Sequence, residues 1–122
     1  MSDLSPLQSI IAECSERYNC RVAFSSNDLD KDKSVCISEI VSREPGNGNG
    51  TSCLRYIIEQ LKAIGCRNVN IVVFPLQQKI TTKQHNALCR RLVGWYEREG
   101  FELVSVNYND GNMISADMEM RI

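Results

Sequence analysis

Apolar residues fall at positions 7, 10, 11, 14 and 18, a helical spacing that puts Leu7, Ile10, Ile11, Cys14 and Tyr18 on one face. Ser5 is an N-cap candidate, Pro6 takes the first helical position, and Gln8 completes an S-x-x-Q capping box. The period then falls to two. In CRVAFSS, Cys20, Val22 and Phe24 alternate with other residues, as in a half-buried strand. NDLDKDK is a polar turn, and SVCISEIV is β-rich and apolar on both parities apart from Ser38 and Glu39, which predicts a central strand over about 35–42. Beyond a glycine-rich stretch, Leu54, Ile57, Ile58, Leu61 and Ile64 recur as one helical face, with Gly65 as a left-handed C-terminal cap. NVNIVVF is a short dense strand ended by Pro75. Thr81 or Thr82 then caps a long helix that runs to about Glu99, with Gly100 at its exit. FELVSVNY and MISADMEMRI alternate on either side of NDGN, a hairpin signal.

The order helix, strand, strand, helix, strand, helix, strand, strand predicts an α/β (α+β) fold in one domain, residues 1–122, with a single mixed β-sheet and helices on both faces. The strand–helix–strand unit over 35–74 implies a parallel neighbouring pair with a right-handed crossover. The terminal hairpin is antiparallel.

Composition narrows the function. The chain is 43% hydrophobic and 24% charged with a formal net charge of −1, ordinary for a globular domain and without a basic stripe to bind nucleic acid or a membrane surface. The six cysteines, at 14, 20, 36, 53, 66 and 89, form no C-x-x-C pair, and several occupy apolar-periodic positions. They read as reduced, buried small hydrophobes rather than disulfide partners or metal ligands. MSDLSPLQ lacks a secretory pattern and no apolar run reaches membrane-spanning length, so a cytoplasmic protein is expected.

The candidate chemistry lies in EPGNGNGTSC, residues 44–53, between a strand and a helix. Glycines there let backbone N–H groups and the positive end of a helix dipole approach an anion closely. A P-loop needs a lysine that is absent. A dinucleotide fingerprint fails at Thr51 counted from Gly46, and at Cys53 counted from Gly48. A surface turn with no ligand is a further reading of this stretch alone.

SEIVSREPGNGNGTSCLRYIIEQLKAIGCRNVNIVVF resembles the core segment of the GNAT superfamily of acyl-CoA N-acyltransferases, in which a strand leads into [QR]-x-x-G-x-[GA] and then a helix. LVGWYEREGFE is similar to that superfamily's second signature, a tyrosine followed after three residues by Gly-Phe. The resemblance covers roughly residues 34–122. Arg43 to Gly48 fits the literal loop pattern, but Gly48-Asn49-Gly50 followed by Thr51-Ser52-Cys53-Leu54 reproduces the helix start better and is the favoured register. It makes the amides of Asn49, Gly50, Thr51 and Ser52 the expected cradle for the pyrophosphate of acetyl-CoA (coenzyme A), with Gly46 and Gly48 shaping the turn.

The resemblance implies an N-acetyltransferase that moves an acetyl group to a primary amine of a protein, peptide or small molecule by direct attack in a ternary complex. Ile40 and Val41 would stand where the central parallel strands splay to admit the pantetheine arm, with Val72 to Phe74 opposite. Tyr96 matches the tyrosine that protonates the leaving sulfur. Read from residues alone it is a core aromatic with Leu88, Leu92 and Trp95. Glu39, a lone carboxylate in an apolar strand, is the base candidate, since burial would raise its pKa; a solvent-facing edge residue is the alternative. His85 and water are further candidates for the base.

Two features depart from the superfamily. The position seven residues before Tyr96, often asparagine, is Cys89, with Asn86 three residues earlier. The amino-terminal half is also short, so either the acceptor site is open or a second copy completes it in a homodimer. A non-catalytic CoA-binding or protein-interaction module, for example an inhibitor of a host protein, is the alternative function.

Overall fold

A computed structural model of the chain describes residues 5–44, 48–75 and 80–122. The elements are α1 (Ser5–Tyr18), β1 (Cys20–Asp28), β2 (Ser34–Ser42), α2 (Asn49–Ala63), β3 (Asn68–Val73), α3 (Thr82–Arg98), β4 (Glu102–Asn109) and β5 (Asn112–Arg121). The five strands form one mixed sheet in the order β1-β2-β3-β5-β4. The predicted element order and fold class are those observed. The chain packs as two compact units, residues 1–69 with 121–122, and residues 70–120.

In the first unit, Leu7, Ile10 and Cys14 of α1 and Cys53, Leu54, Ile57 and Leu61 of α2 are buried, as the helical periodicity predicts. Cys20 and Val22 of β1 and Val35 and Ile37 of β2 supply the buried face of the antiparallel pair. β1 runs further than predicted, through the start of the polar segment. The chain turns where the Asp28 carbonyl accepts from the N–H groups of Lys31, Asp32 and Lys33, each at 3.1 Å. Bulges sit at Ser25 and Ser38, where one strand carries a residue with no partner on the other. The capping box expected at Ser5 and Gln8 involves a side chain outside those described.

Helix α2 ends at Gly65, whose φ of +90° suits a residue without a Cβ. Cys66 N–H donates to the Leu61 carbonyl at 2.9 Å and Gly65 N–H to that of Lys62 at 3.1 Å, the paired bonds of a Schellman cap.

In the second unit, α3 starts with a capping box. The Thr81 hydroxyl accepts from Gln84 N–H at 3.1 Å, and the Gln84 side chain accepts from Thr81 N–H at 2.8 Å, which decides between the two candidate caps. The helix ends at Gly100 in a second Schellman cap, with Phe101 N–H on the Tyr96 carbonyl at 3.0 Å and Gly100 N–H on that of Glu97 at 3.1 Å. The turn between β4 and β5 has both central residues, Asp110 and Gly111, at positive φ, as a tight two-residue hairpin requires.

The predicted alternation fails in this hairpin for two reasons. β4 is an edge strand whose residues are exposed on both faces, Val106 alone being half-buried. In β5 the buried residues are Met113, Ala116 and Met118, a change of parity. Ile114 is the extra residue of a bulge: Met113 pairs with Tyr108 and Ser115 with Asn107, so the faces exchange there.

Candidate functional site

Gly48 stands at the N-cap of α2 with φ +74° and ψ 4°, left-handed and exposed. Having no side chain, it makes none of the capping bonds that Ser, Thr or Asp would supply. The first amides of a helix have no acceptor within it, so those of Asn49, Gly50 and Thr51 lead the positive end of the dipole. Ser52 departs from expectation. Its N–H already donates to the Gly48 carbonyl at 3.2 Å, closing the first turn, so the predicted cradle loses that amide. Gly46 lies outside the described residues. A Cβ built on Gly48 would meet no atom of the described residues within 4 Å. An exposed helix start whose N-cap residue supplies no side-chain bond fits an anionic group.

Ile40 and Val41, predicted at a break in β2, pair regularly with Val22 and Arg21 along the β1 edge. The irregularity on that edge is the bulge at Ser38, whose hydroxyl donates to the Ala23 carbonyl at 3.2 Å. Glu39 beside it is not the lone buried carboxylate that the sequence suggests. Its two oxygens accept from Arg21, Oε2 from Nε at 2.8 Å and Oε1 from Nη2 at 3.2 Å, and its side chain is 21% exposed. Arg21 lies diagonally across on the neighbouring strand and was not anticipated. The alternation in CRVAFSS puts it on the face opposite Cys20 and Val22, which is the only signal for it.

Tyr96 is 5% exposed, and burial pushes its phenol well above the ordinary tyrosine range. The ring meets Phe101 edge to face at 5.6 Å and Trp95 at 4.6 Å. Cys89, at the position often held by asparagine, is fully buried. Asn86 is engaged by its own chain: its Oδ1 accepts from Met113 N–H at 2.8 Å and from Arg90 Nε at 3.0 Å.

His85, the preceding residue, places Nε2 2.7 Å from the Ile114 carbonyl and its ring 5.0 Å from that of Phe74. All six cysteines are free and five are buried. Among the described residues no group of histidine, cysteine, aspartate and glutamate could hold a metal ion, and no helix is long and apolar enough to cross a membrane.

No family model matches the sequence, and no curated protein matches it significantly. Solved structures do match. The ribosomal-protein-S18-alanine N-acetyltransferase of Escherichia coli superposes with a TM-score of 0.58 at 15% identity, over 83% of this chain and 59% of that one. A GNAT family acetyltransferase from Elizabethkingia anophelis, solved with acetyl-CoA bound, gives 0.59 at 13% identity over 84% of this chain and 68% of that one. The chain has the GNAT fold. A Bacillus subtilis acetyltransferase in complex with CoA gives 0.58 at 13% identity, again over 84% and 68%. The chain spans 59% of the length of the first of these GNAT structures.

Proposed function

We propose that this chain is an acetyl-CoA-dependent N-acetyltransferase acting on a primary amine of a protein, peptide or small molecule. The observation that carries the reading is the start of α2, where an exposed left-handed glycine, with no side chain to cap the helix, stands at the N-cap on a GNAT fold. The amides of Gly48, Asn49, Gly50 and Thr51 would hold the pyrophosphate, and the backbone at Ile40 and Val41 the pantetheine arm. The cofactor, when bound, supplies an activated acyl thioester. Tyr96 is the proposed general acid: a phenol is protonated at neutral pH, the state in which it can give a proton to a departing sulfur, and burial makes it hold that proton more tightly than an ordinary tyrosine. Glu39 fits the part of base poorly, because both oxygens are already bound by Arg21.

A second reading rests on that pairing: the chain binds CoA, or a partner protein, without turnover. Differential scanning fluorimetry with acetyl-CoA tests cofactor use first. Ligand at about 100 times Kd should stabilise the protein by about 2.7 kcal/mol. Gly50→Val should remove the shift and leave the unliganded fold intact, since the residue lies within helical backbone. No shift at any concentration overturns the proposal. A shift without thiol release across a broad panel of amines favours the second reading.

A further inference from the structure

Exposed apolar surface concentrates on one edge of the sheet. Of the six large apolar side chains left exposed among the described residues, Leu103, Val104 and Tyr108 are on β4. β4 is the last strand of the sheet, so one side of its backbone pairs with β5 and the other meets no strand among those described. Soluble proteins commonly guard such an edge with lysine, proline or a bulge, because its free N–H and C=O groups pair with any extended chain. β4 has neither lysine nor proline. Its own bulge residue is Val104, which leaves residues 105–109 in unbroken succession along the edge.

The two faces of the strand differ. Cross-strand partners share a face, so Leu103, Val106 and Tyr108 lie with the buried Met118, Ala116 and Met113. On the opposite face Glu102 stands directly across from Glu119, and Ser105 across from Asp117, whose Oδ2 accepts from Ser105 Oγ at 2.8 Å. Carboxylates directly opposed on neighbouring strands repel, and no ion pair among the described residues reaches Glu102 or Glu119. One face of the edge is therefore apolar, and the other is acidic without a paired cation among those residues.

We propose that the edge of β4 docks an extended segment of another polypeptide in which arginine or lysine alternates with apolar residues. The segment adds to the sheet as a further strand, and its backbone takes up the free N–H and C=O groups of β4. Side chains alternate across a strand, so its apolar positions fall beside Leu103, Val106 and Tyr108 and its basic positions on the side of Glu102. Asp117 and Glu119 stand one strand further in, about 10 Å from the incoming backbone, a gap that two long side chains close. A second copy of the chain is the competing occupant. Pairing β4 with itself brings no cation, because β4 contains none, and the opposition of Glu102 and Glu119 would persist. A basic segment relieves it. This docking is independent of the transferase reading.

The probe is a peptide of alternating valine and arginine, blocked at both ends and as long as the eight residues of β4. Arginine has no primary amine, so the peptide cannot bind as an acetyl acceptor. An NMR titration of the full chain should show saturable binding, slowed hydrogen exchange at the outward amides of β4, and weakening as salt rises. A valine–glutamate peptide of the same length should bind about tenfold more weakly. The double variant Glu102→Lys with Glu119→Lys should reverse that preference. Tyr108→Ala, at an exposed position, should weaken the valine–arginine peptide severalfold and serves if the double variant misfolds. Equal binding of the two peptides, no protection in β4, or variants that bind as the parent does overturns the docking. So does a dimer in sedimentation velocity that shields β4 from the peptide. The acetyl-CoA melting shift is read separately. If it persists while the peptide fails to bind, only the docking is wrong; if it is absent while the peptide binds, only the transferase reading is.

Discussion

The rings of Tyr96 and Phe101 meet edge to face, centroids 5.6 Å apart, across the residues where α3 stops. Tyr96 is three residues inside the helix end and its carbonyl accepts from Phe101 N–H, so this contact is the apolar clasp that accompanies a Schellman cap. The signature tyrosine, glycine and phenylalanine are therefore the parts of one helix terminator. Their spacing has a structural cause whatever the phenol does, and the two roles can be separated by substitution.

Tyr96→Phe keeps the ring and the cap. Its melting temperature should stay close to that of the parent, while turnover falls by about 10²-fold if the phenol supplies the leaving-group proton. Tyr96→Ala removes the clasp as well and should cost about 3–5 kcal/mol, the usual range for emptying a buried aromatic site. Full activity in Tyr96→Phe would reduce the residue to its cap.

The Arg21–Glu39 pair bears on the base. It joins neighbouring strands on a face where Arg21 is 63% exposed, so solvent screens it and its contribution should be about 0.2–1 kcal/mol. Glu39→Gln should unfold within that margin of the parent and lose no more than about threefold in kcat. A loss of about 10²-fold would return Glu39 to the role of base. Urea denaturation and steady-state kinetics on the same preparation decide it.

Buried acids tie stability to alkaline pH. Burial raises Cys20 to about 11 from an ordinary 9.0, and it raises Cys66, Cys89 and Tyr96 as well. Cys53 is raised first by its hydrogen bond to Cys14 and then by burial; Cys14 is lowered because Cys53 donates to it. For the raised groups the folded state holds protons that the unfolded chain has released. Their contribution is complete below the unfolded pKa and lost as pH climbs through the folded one. Cys14, the lowered group, acts in the opposite sense and adds stability as pH rises toward the thiol reference of 9.0; above that reference the raised groups dominate and unfolding free energy should fall steadily. Denaturant titrations at stepped pH will show this. A rise in stability above that reference would contradict the thiol burial.

Much of this was legible in the sequence because period and punctuation agree. Leu54, Ile57 and Leu61 followed by Gly65 gave the α2 core face and its terminus together, and Asp110-Gly111 marked the hairpin turn. Three features were hidden because they depend on pairing between distant residues. The bulge at Ile114 swaps the faces of β5, yet nothing local in MISADMEMRI announces it. Glu39 reads as a lone acid until the register brings Arg21 to it. His85 reads as a solitary surface histidine until Ile114 and Phe74, far away in the chain, supply its two neighbours. The loop was legible as to class, strand to glycine to helix, but the amide lost at Ser52 follows only from which residue caps α2.

Gly48 and Gly100 offer a matched pair for testing that cap. Both hold positive φ, +74° and +106°, where a Cβ costs about 1 kcal/mol or more. Among the described residues nothing lies within 4 Å of a Cβ at Gly48, while at Gly100 a Cβ would come 3.2 Å from Met120 Cε, the movable end of a flexible side chain. Gly48→Ala and Gly100→Ala should therefore lose similar stability without ligand, each lowering the melting temperature by several degrees. They should differ in their response to acetyl-CoA. Gly48→Ala places a methyl group, or a rearranged backbone, where the pyrophosphate is proposed to lie, and its ligand-induced shift should shrink. Gly100→Ala disturbs a terminator in the other compact unit and should keep the parent's shift. Equal loss of the shift in both would mean that it reports general destabilisation, and an unchanged shift in Gly48→Ala would move the pyrophosphate away from the start of α2.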